Sequence, residues 1–441
     1  MLGWFLNFAY IALIALASPW LIYAAVRKGK YRQGFGEKIL GHAPTRTGNR
    51  PCIWLHAVSV GEVKLLAPLV AEIARRRPDA ECVISTTTRT GHDLASTLYP
   101  EHTRFYCPLD FTWAVAEAMR RLRPDLLVLC ELELWPNLIR AAKRHSAKVA
   151  VVNGRLGAKS FRGYQRIGLL VARLLRSLDL VAAQNEEYAE RFNALGARPE
   201  SVRITGSLKF DGAISDRRNP RTTALQKLTG WPHDAIVLLA GSTQAPEEQL
   251  ALSAFTELSA SHPRLRLILV PRHPERFDEV ARMLEASDCS WQRRTQLTCN
   301  PPSAIHNPQS SPVLLVDTVG ELSAWWGLAT IAFVGGSLGS RGGQNMLEPA
   351  AFGAAISFGP NTWNFRDIVE AMLGRDAAVV IRNGEELTAF VRRCLDEAAY
   401  AEQLGRRAAA LVAEGRGATQ RTVELLCDLL PASAAIQTRA A

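Results

Sequence analysis

Several runs in this chain place reactive side chains where chemistry can use them. In His56-Ala57-Val58-Ser59-Val60-Gly61-Glu62 a glycine and a carboxylate follow an apolar strand and open a helix. Sites in α/β proteins form at the carboxyl ends of strands, and a general base needs a carboxylate fixed there, so Glu62 is suitably placed. The simpler role for such a glutamate is a favourable charge at a helix N-terminus. His56 is either catalytic or a satisfied strand-end histidine. In Glu131-Leu132-Glu133-Leu134-Trp135-Pro136-Asn137 two acids follow the apolar run Leu126–Cys130 at once. Acids in that position are seldom fully buried without partners, so one of them is expected to serve a cleft. Lys209, in Gly206-Ser207-Leu208-Lys209-Phe210-Asp211, ends the last strand of the front half and suits an anionic substrate, a solvated lysine being the alternative.

In the second half three loops end strands on one side of the sheet: Gly241-Ser242-Thr243, Pro271-Arg272-His273-Pro274-Glu275-Arg276 and Asp317-Thr318-Val319-Gly320-Glu321. The planar fork of Arg272 can clamp a phosphate. Gly320 and Glu321 begin a helix whose N–H groups can meet a nucleotide. Ile331–Phe365 reads as strand, glycine loop, helix and strand. Asn345 caps a helix beginning near Met346, and Glu348 falls in its first turn. That layout offers backbone N–H groups to a phosphate, although a glycine-rich turn in any α/β domain has the same pattern. The chain has no GxxxxGK[ST], no GxGxxG after the first strand and no DxD, which disfavours ATPase, dehydrogenase and carboxylate-held metal chemistry.

The elements that would position these groups alternate from Cys52 onward. Strands are expected at Cys52–His56, Cys82–Thr86, Leu126–Cys130, Lys148–Asn153, Leu180–Ala183 and Val202–Thr205. A second series is Ile236–Ala240, Leu265–Val270, Val313–Val316, Ile331–Val334, Ala355–Phe358 and Ala378–Ile381. Apolar strands separated by helix-length spacers imply parallel, doubly wound sheets. The fold class is therefore α/β, with two Rossmann-like domains facing a central cleft. The expected divisions are an N-terminal membrane anchor (1–26), an acceptor-binding domain (27–214), a polar linker (215–221) and a donor-binding domain (222–441). A terminal helix, roughly Tyr400 to Asp428, packs back toward the first domain, and 292–312 reads as a long surface loop.

Charge is unevenly spread over the 441 residues. Residues 1–218 hold 32 Lys+Arg against 19 Asp+Glu, a formal +13, while the remainder is −3. Arg140 to Arg176 alone holds ten basic residues and no acid. No nucleic-acid module or aromatic-interleaved basic ribbon accompanies them, so membrane phosphates are the better match. Leu2 to Val26 carries no charge and is long enough to cross a bilayer, though Asn7, Ser18 and Pro19 weaken it. Arg27, Lys28, Lys30 and Arg32 follow, which puts the body of the chain on the cytosolic side and favours a retained anchor over a cleaved signal. Eight scattered cysteines without a CxxC pair imply neither zinc nor a disulfide framework.

Taken in order, these runs resemble the 3-deoxy-D-manno-octulosonic acid (Kdo) transferases of bacterial lipopolysaccharide synthesis. The resemblance covers Tyr31-Arg32 with Gly36-Glu37, His56 with Val58–Glu62, Glu131 with Glu133–Asn137, Ala183–Glu186 and Gly206–Asp211. It continues through Val270–Phe277, Phe333–Leu338, Gly342-Gly343 with Asn345, Leu347-Glu348, and Gly359-Pro360 with Asn364-Phe365. It implies a GT-B fold, a CMP-Kdo donor, and a lipid A precursor (lipid IVA) as acceptor at the cytoplasmic face of the cell inner membrane, against its phospholipid surface. It also implies inverting transfer with Glu62 as proton acceptor, Glu131 and Lys209 as transition-state stabilisers, and no metal or other cofactor. Pro271, Arg272, Val319, Gly320, Glu321, Asn345, Met346, Leu347 and Glu348 correspond to the segments that contact CMP. Three positions depart from the family pattern: Gln244-Ala245-Pro246 replaces His-Glu-Gly, Gln344 replaces histidine, and Leu132 replaces threonine. The alternatives are a nucleotide-sugar epimerase of the same fold and an inactive membrane-tethered binding protein.

Overall fold

The computed structural model describes residues 2–28, 33–297 and 311–432. Lys30, Tyr31, Arg32, Cys299 and residues 298–310 of the expected loop lie outside the described residues. The chain forms two compact units, Met1–Gly212 with Arg416–Ala441, and Ala213–Gly415.

The first unit is built on a parallel sheet of β1 (Cys52–Ala57), β2 (Glu81–Thr86), β3 (Thr103–Tyr106), β4 (Leu126–Cys130), β5 (Lys148–Gly154), β6 (Leu180–Ala183) and β7 (Val202–Ile204), in the order β3-β2-β1-β4-β5-β6-β7. Alternate residues of β4 enter opposite cores. Leu127 and Leu129 pack with Trp54, Phe105 and Leu138, whereas Leu126, Val128 and Cys130 pack with Leu66, Leu69 and Leu426. Burial on both faces is why these strands read as unbroken apolar runs. The chain moves outward from β1 to β3 and then resumes beside β1 with β4. Loops leaving two strands at such a reversal diverge and leave a crevice at the carboxyl ends.

The second unit repeats the plan with β8 (Ile236–Thr243), β9 (Leu265–Pro271), β10 (Trp291–Arg293), β11 (Val313–Leu315), β12 (Ile331–Val334), β13 (Ala355–Phe358) and β14 (Val379–Val380). Its order, β10-β11-β9-β8-β12-β13-β14, puts the reversal between β8 and β12.

Sequence and structure differ at some elements. β3 and β10 were not expected. Both are short edge strands, and β10 overlaps the start of the stretch read as loop. The polar stretch 215–221 is built into the second unit, where the Arg217 guanidinium donates to the carbonyls of Phe352, Gly327 and Ala329 at 2.8–2.9 Å. The single terminal helix is two, Ala398–Gly415 and Ala418–Asp428, broken at Gly417, whose φ of 88° is left-handed. The second of these belongs to the first unit and packs on the Val60–Arg76 helix.

The N-terminal helix, Leu2–Lys28, is long and apolar enough over Gly3–Trp20 to cross a membrane by length and composition. One stripe of it is fastened to the first unit. Asn7 is buried, its amide donating to Thr112 Oγ1 (2.7 Å) while its carbonyl accepts from the Thr112 amide (3.0 Å). Tyr10 donates to Asp110 Oδ2 (3.1 Å), and Asp110 also accepts from the amides of Asn137 and Leu138 at the start of the Pro136–Arg144 helix. The polar residue that weakens a hydrophobic span is thus a docking residue. Trp4, Phe5, Phe8 and Leu16 remain exposed on the other faces.

Candidate active site

Parallel pairing puts every strand's carboxyl end at one edge, so the candidate residues of each unit gather there. In the first unit Glu62 follows β1 and lies in the first turn of the Val60–Arg76 helix. Ser59 caps that helix, its Oγ accepting from the Glu62 amide (3.3 Å). The Glu62 carboxylate reaches back, accepting from Ser59 Oγ (2.8 Å) and the Val58 amide (2.9 Å). The bonds run both ways, much as in a capping box, except that the backbone amide taken is that of Val58, one residue before the cap. Glu62 therefore does perform the simpler structural role, and the same two bonds hold its carboxylate rigid at the reversal between β1 and β4.

Glu131, at the end of β4, has a φ of 56°, in the left-handed region. A non-glycine residue held there costs on the order of 1–3 kcal/mol, which the surrounding structure must offset. Its amide donates to Val152 O on neighbouring β5 (2.9 Å). Glu133 accepts from the Trp135 indole (2.9 Å). Burial raises its pKa, and the charges of Glu62 and Glu131 add to the rise. These acids therefore share one neighbourhood. The structure brings all three together, including Glu133, to which the resemblance assigns no catalytic part.

Lys209 follows β7 in a loop tied down from both sides. The Leu208 amide donates to Asn153 Oδ1 (3.1 Å) at the end of β5. Asp211 accepts from the amides of Gly417 (2.6 Å) and Thr419 (2.5 Å) at the start of the last helix. His56 is fully buried. The Trp54 indole donates to Ser85 Oγ (2.7 Å), which also lies within hydrogen-bond distance of His56 Nδ1 (2.9 Å). Burial lowers its pKa to about 4, so it is neutral near pH 7.

In the second unit the glycine loop after β12 differs from the sequence expectation. The amides of Gly336, Ser337 and Leu338 are not open to a phosphate. They donate to the buried carboxylate of Glu247 (2.7, 3.0 and 3.0 Å), which also takes the Gln244 amide (2.9 Å). One acid thus joins the loops that leave β8 and β12. Neighbouring Glu248, equally buried, pairs with Arg276. Nothing in the spacing distinguishes Glu247 from an ordinary helix-opening glutamate; the signal that could have pointed to it is a pair of acids at the start of a helix after a central strand.

The remaining residues occupy the same edge of the second sheet. Pro271 ends β9, and Arg272 extends its exposed side chain from there, with its amide on Thr243 O (3.0 Å). Val319 is exposed, and Gly320 has a φ of 89°. Glu321 is held by Nε and Nη2 of Arg294 (2.9 Å each) and by Thr318 (2.7 Å). Burial opposes its ionisation, but those bonds keep its pKa below the usual value. Asn345 accepts from the Leu347 amide (3.1 Å) and donates to Glu348 (3.1 Å). Met346 and Leu347 are buried in the core, so they can offer a ligand their backbone only. Among the described residues no cluster of His, Cys, Asp or Glu has a metal-holding arrangement.

Comparison with known proteins fixes the family. A protein from Haemophilus influenzae described as 3-deoxy-D-manno-octulosonic acid transferase is 31% identical over 431 residues, covering 95% of this chain and 98% of that one. The chain belongs to the Kdo transferase family. A transferase of the same description from Bordetella pertussis is 32% identical over 422 residues, 93% of this chain and 95% of that one. Residues 31–212 match the family model "3-Deoxy-D-manno-octulosonic-acid transferase (kdotransferase)". A solved UDP-GlcNAc 2-epimerase from Neisseria meningitidis covers 86% of this chain and all of that one, with a TM-score of 0.58. At 12% identity that likeness shows the two-unit α/β fold alone, the architecture of GT-B enzymes, and gives the epimerase reading no support. Family membership makes the chain a glycosyltransferase, a Kdo transferase of lipopolysaccharide biosynthesis.

Proposed function

We propose that the chain transfers Kdo from CMP-Kdo, with inversion, to a hydroxyl of a lipid A precursor (lipid IVA), with Glu62 as general base. The observation that carries this reading is the pinned Glu62 carboxylate, which accepts two hydrogen bonds and keeps acceptor capacity for a third partner. In the proposed step an acceptor hydroxyl gives its proton to Glu62 as its oxygen bonds to the anomeric carbon. The bond from that carbon to the CMP phosphate oxygen breaks, and CMP leaves with the electron pair. Glu131 and Lys209 stabilise the transition state. Arg272 meets the leaving phosphate, and the segments 319–321 and 345–348 contact the nucleotide. Charge on that phosphate can be met by a guanidinium and backbone dipoles, so the reading assigns no step to a metal.

The lipid acceptor and the cytoplasmic face of the inner membrane belong to the same reading. They are supported by the apolar N-terminal helix and by Ile167, Leu169 and Leu170, which are exposed beside Arg162, Arg166 and Arg173. The test is Glu62→Gln, assayed by mass spectrometry of lipid IVA incubated with CMP-Kdo. Turnover should fall by about 10²–10⁴-fold, the usual contribution of a general base, while CMP-Kdo still binds. Unchanged turnover removes Glu62 from the role.

A further inference from the structure

Away from the acids and the nucleotide segments, the first unit has a small open cavity of about 50 Å³, lined by Gly3, Thr112, Asn137, Arg140, Arg144 and His145 among others. It lies between the first turn of the N-terminal helix, the Thr112–Leu122 helix and the Pro136–Arg144 helix. Arg140 Nη1 is buried there without a hydrogen-bond partner. A guanidinium cannot relieve this by losing its proton, and an unmatched buried donor of a charged group is costly. The neighbouring basic residues show what satisfaction looks like: Lys143 pairs with Asp179 at 2.7 Å, and Arg120 and Arg121 share Glu117. Arg140 and Arg144 have no such pair among the described residues, and no acid lines the cavity. They are one turn apart on one helix, where like charges repel unless an anion lies between them.

The cavity's edge indicates which anion. Gly3 contributes to it at close range, since a Cβ at that position would stand 2.9 Å from Thr112 Cγ2. The residues that follow, Trp4, Phe5 and Phe8, are 72%, 68% and 73% exposed. A phosphoryl oxyanion in the cavity would therefore sit at the foot of a helix whose outer faces expose aromatic surface, which a free phosphate cannot use and an acyl chain can. We propose that this cavity binds the phosphoryl headgroup of an anionic membrane phospholipid, with Arg140 and Arg144 on its oxygens and the lipid chains along the N-terminal helix. The inference rests on reading that helix as the membrane-facing element.

The test uses the full chain in maltoside micelles containing equal phosphatidylglycerol and phosphatidylcholine, read by native mass spectrometry. The wild type should retain one phosphatidylglycerol in preference to phosphatidylcholine, and the double variant Arg140→Gln/Arg144→Gln should retain at least about tenfold less, since each lost charge-assisted bond is worth a factor of that order. Arg140→Lys keeps the charge and the fold while losing the planar fork, so partial retention is expected. Equal retention of the two lipids, full retention by the folded double variant, or displacement by inorganic phosphate as readily as by glycerophosphate would overturn the assignment. Flotation with phosphatidylcholine vesicles reads the helix separately: failure there with headgroup selectivity intact removes the anchor reading and leaves the cavity assignment standing.

Discussion

Each unit carries a glutamate in the first turn of the helix that follows its central strand, Glu62 after β1 and Glu247 after β8. Both are buried, and both stand where the strand order reverses. A carboxylate offers about four lone-pair sites. Glu247 gives all of its capacity to the amides of Gln244, Gly336, Ser337 and Leu338, whereas Glu62 gives half, to Ser59 and Val58. Residue type and position in the fold are alike, so what separates a structural acid from a candidate base is the capacity left over.

The sharpest way to break this comparison is to make the same substitution in both units. Glu62→Gln should abolish most transfer yet leave stability within about 1 kcal/mol, because the amide oxygen still accepts one of the two bonds. Glu247→Gln turns an amide NH₂ toward backbone donors, and disrupting a buried charged network costs about 3–5 kcal/mol. Urea unfolding of both variants, with transfer assays beside it, checks the pair. A Glu247→Gln protein of wild-type stability would end the distinction.

A second contrast is pH. Among the described residues the first unit has the one fully buried histidine, His56, and the second has no equivalent. Its pKa is lowered in the folded state to about 4 from an ordinary 6.5. Between those values the unfolded chain binds the extra proton, so stability rises with pH across that window and is complete above 6.5. The loss on acidification from pH 6.5 to 4 approaches about 3 kcal/mol. His56→Gln should flatten that part of the profile, measured by urea midpoints at several pH values. An unchanged slope would mean that His56 is protonated in the fold.

The glycines beside the two reversals come next. A Cβ on Gly241 would lie 2.4 Å from the Trp326 ring, so Gly241→Ala overpacks the second core and should cost about 1–3 kcal/mol. A Cβ on Gly61 meets Ser59 Oγ at an ordinary 3.7 Å, so Gly61→Ala should change stability by less than about 0.5 kcal/mol. Thermal unfolding distinguishes them, and equal shifts would show that the core around Trp326 gives way.

Most of this fold was legible because a strand buried on both faces must be apolar throughout, as Leu126–Cys130 and Ile331–Val334 are. Thr103–Tyr106 and Trp291–Arg293 escaped because short edge strands need no such run. Glu62, Glu131 and Arg272 announced themselves by standing after strands. The glycine loop misled for the opposite reason. Its amides look free in sequence, and the acid that occupies them lies about ninety residues earlier. Long-range acceptors leave no local pattern. The same holds for Asn7, which reads as a flaw in a span until Thr112 is seen opposite it.

The smallest effect tests whether the Lys209 loop depends on the returning helix. Asp211 stands two residues from Lys209, and its carboxylate accepts the Gly417 and Thr419 amides, which the helix cannot satisfy from within. Asp211→Asn keeps one acceptor and loses the charge at the helix N-terminus. The expected cost is about 1 kcal/mol, the usual scale for a cap and its dipole interaction. If that anchorage only stabilises the unit, the transfer rate at saturating donor and acceptor stays near wild type while the unfolding midpoint falls. A rate that falls tenfold or more with little loss of stability would instead make Asp211 a positioning residue for Lys209. The comparison would then shift, since the first unit, like the second, would use a carboxylate bound to backbone amides to shape its site.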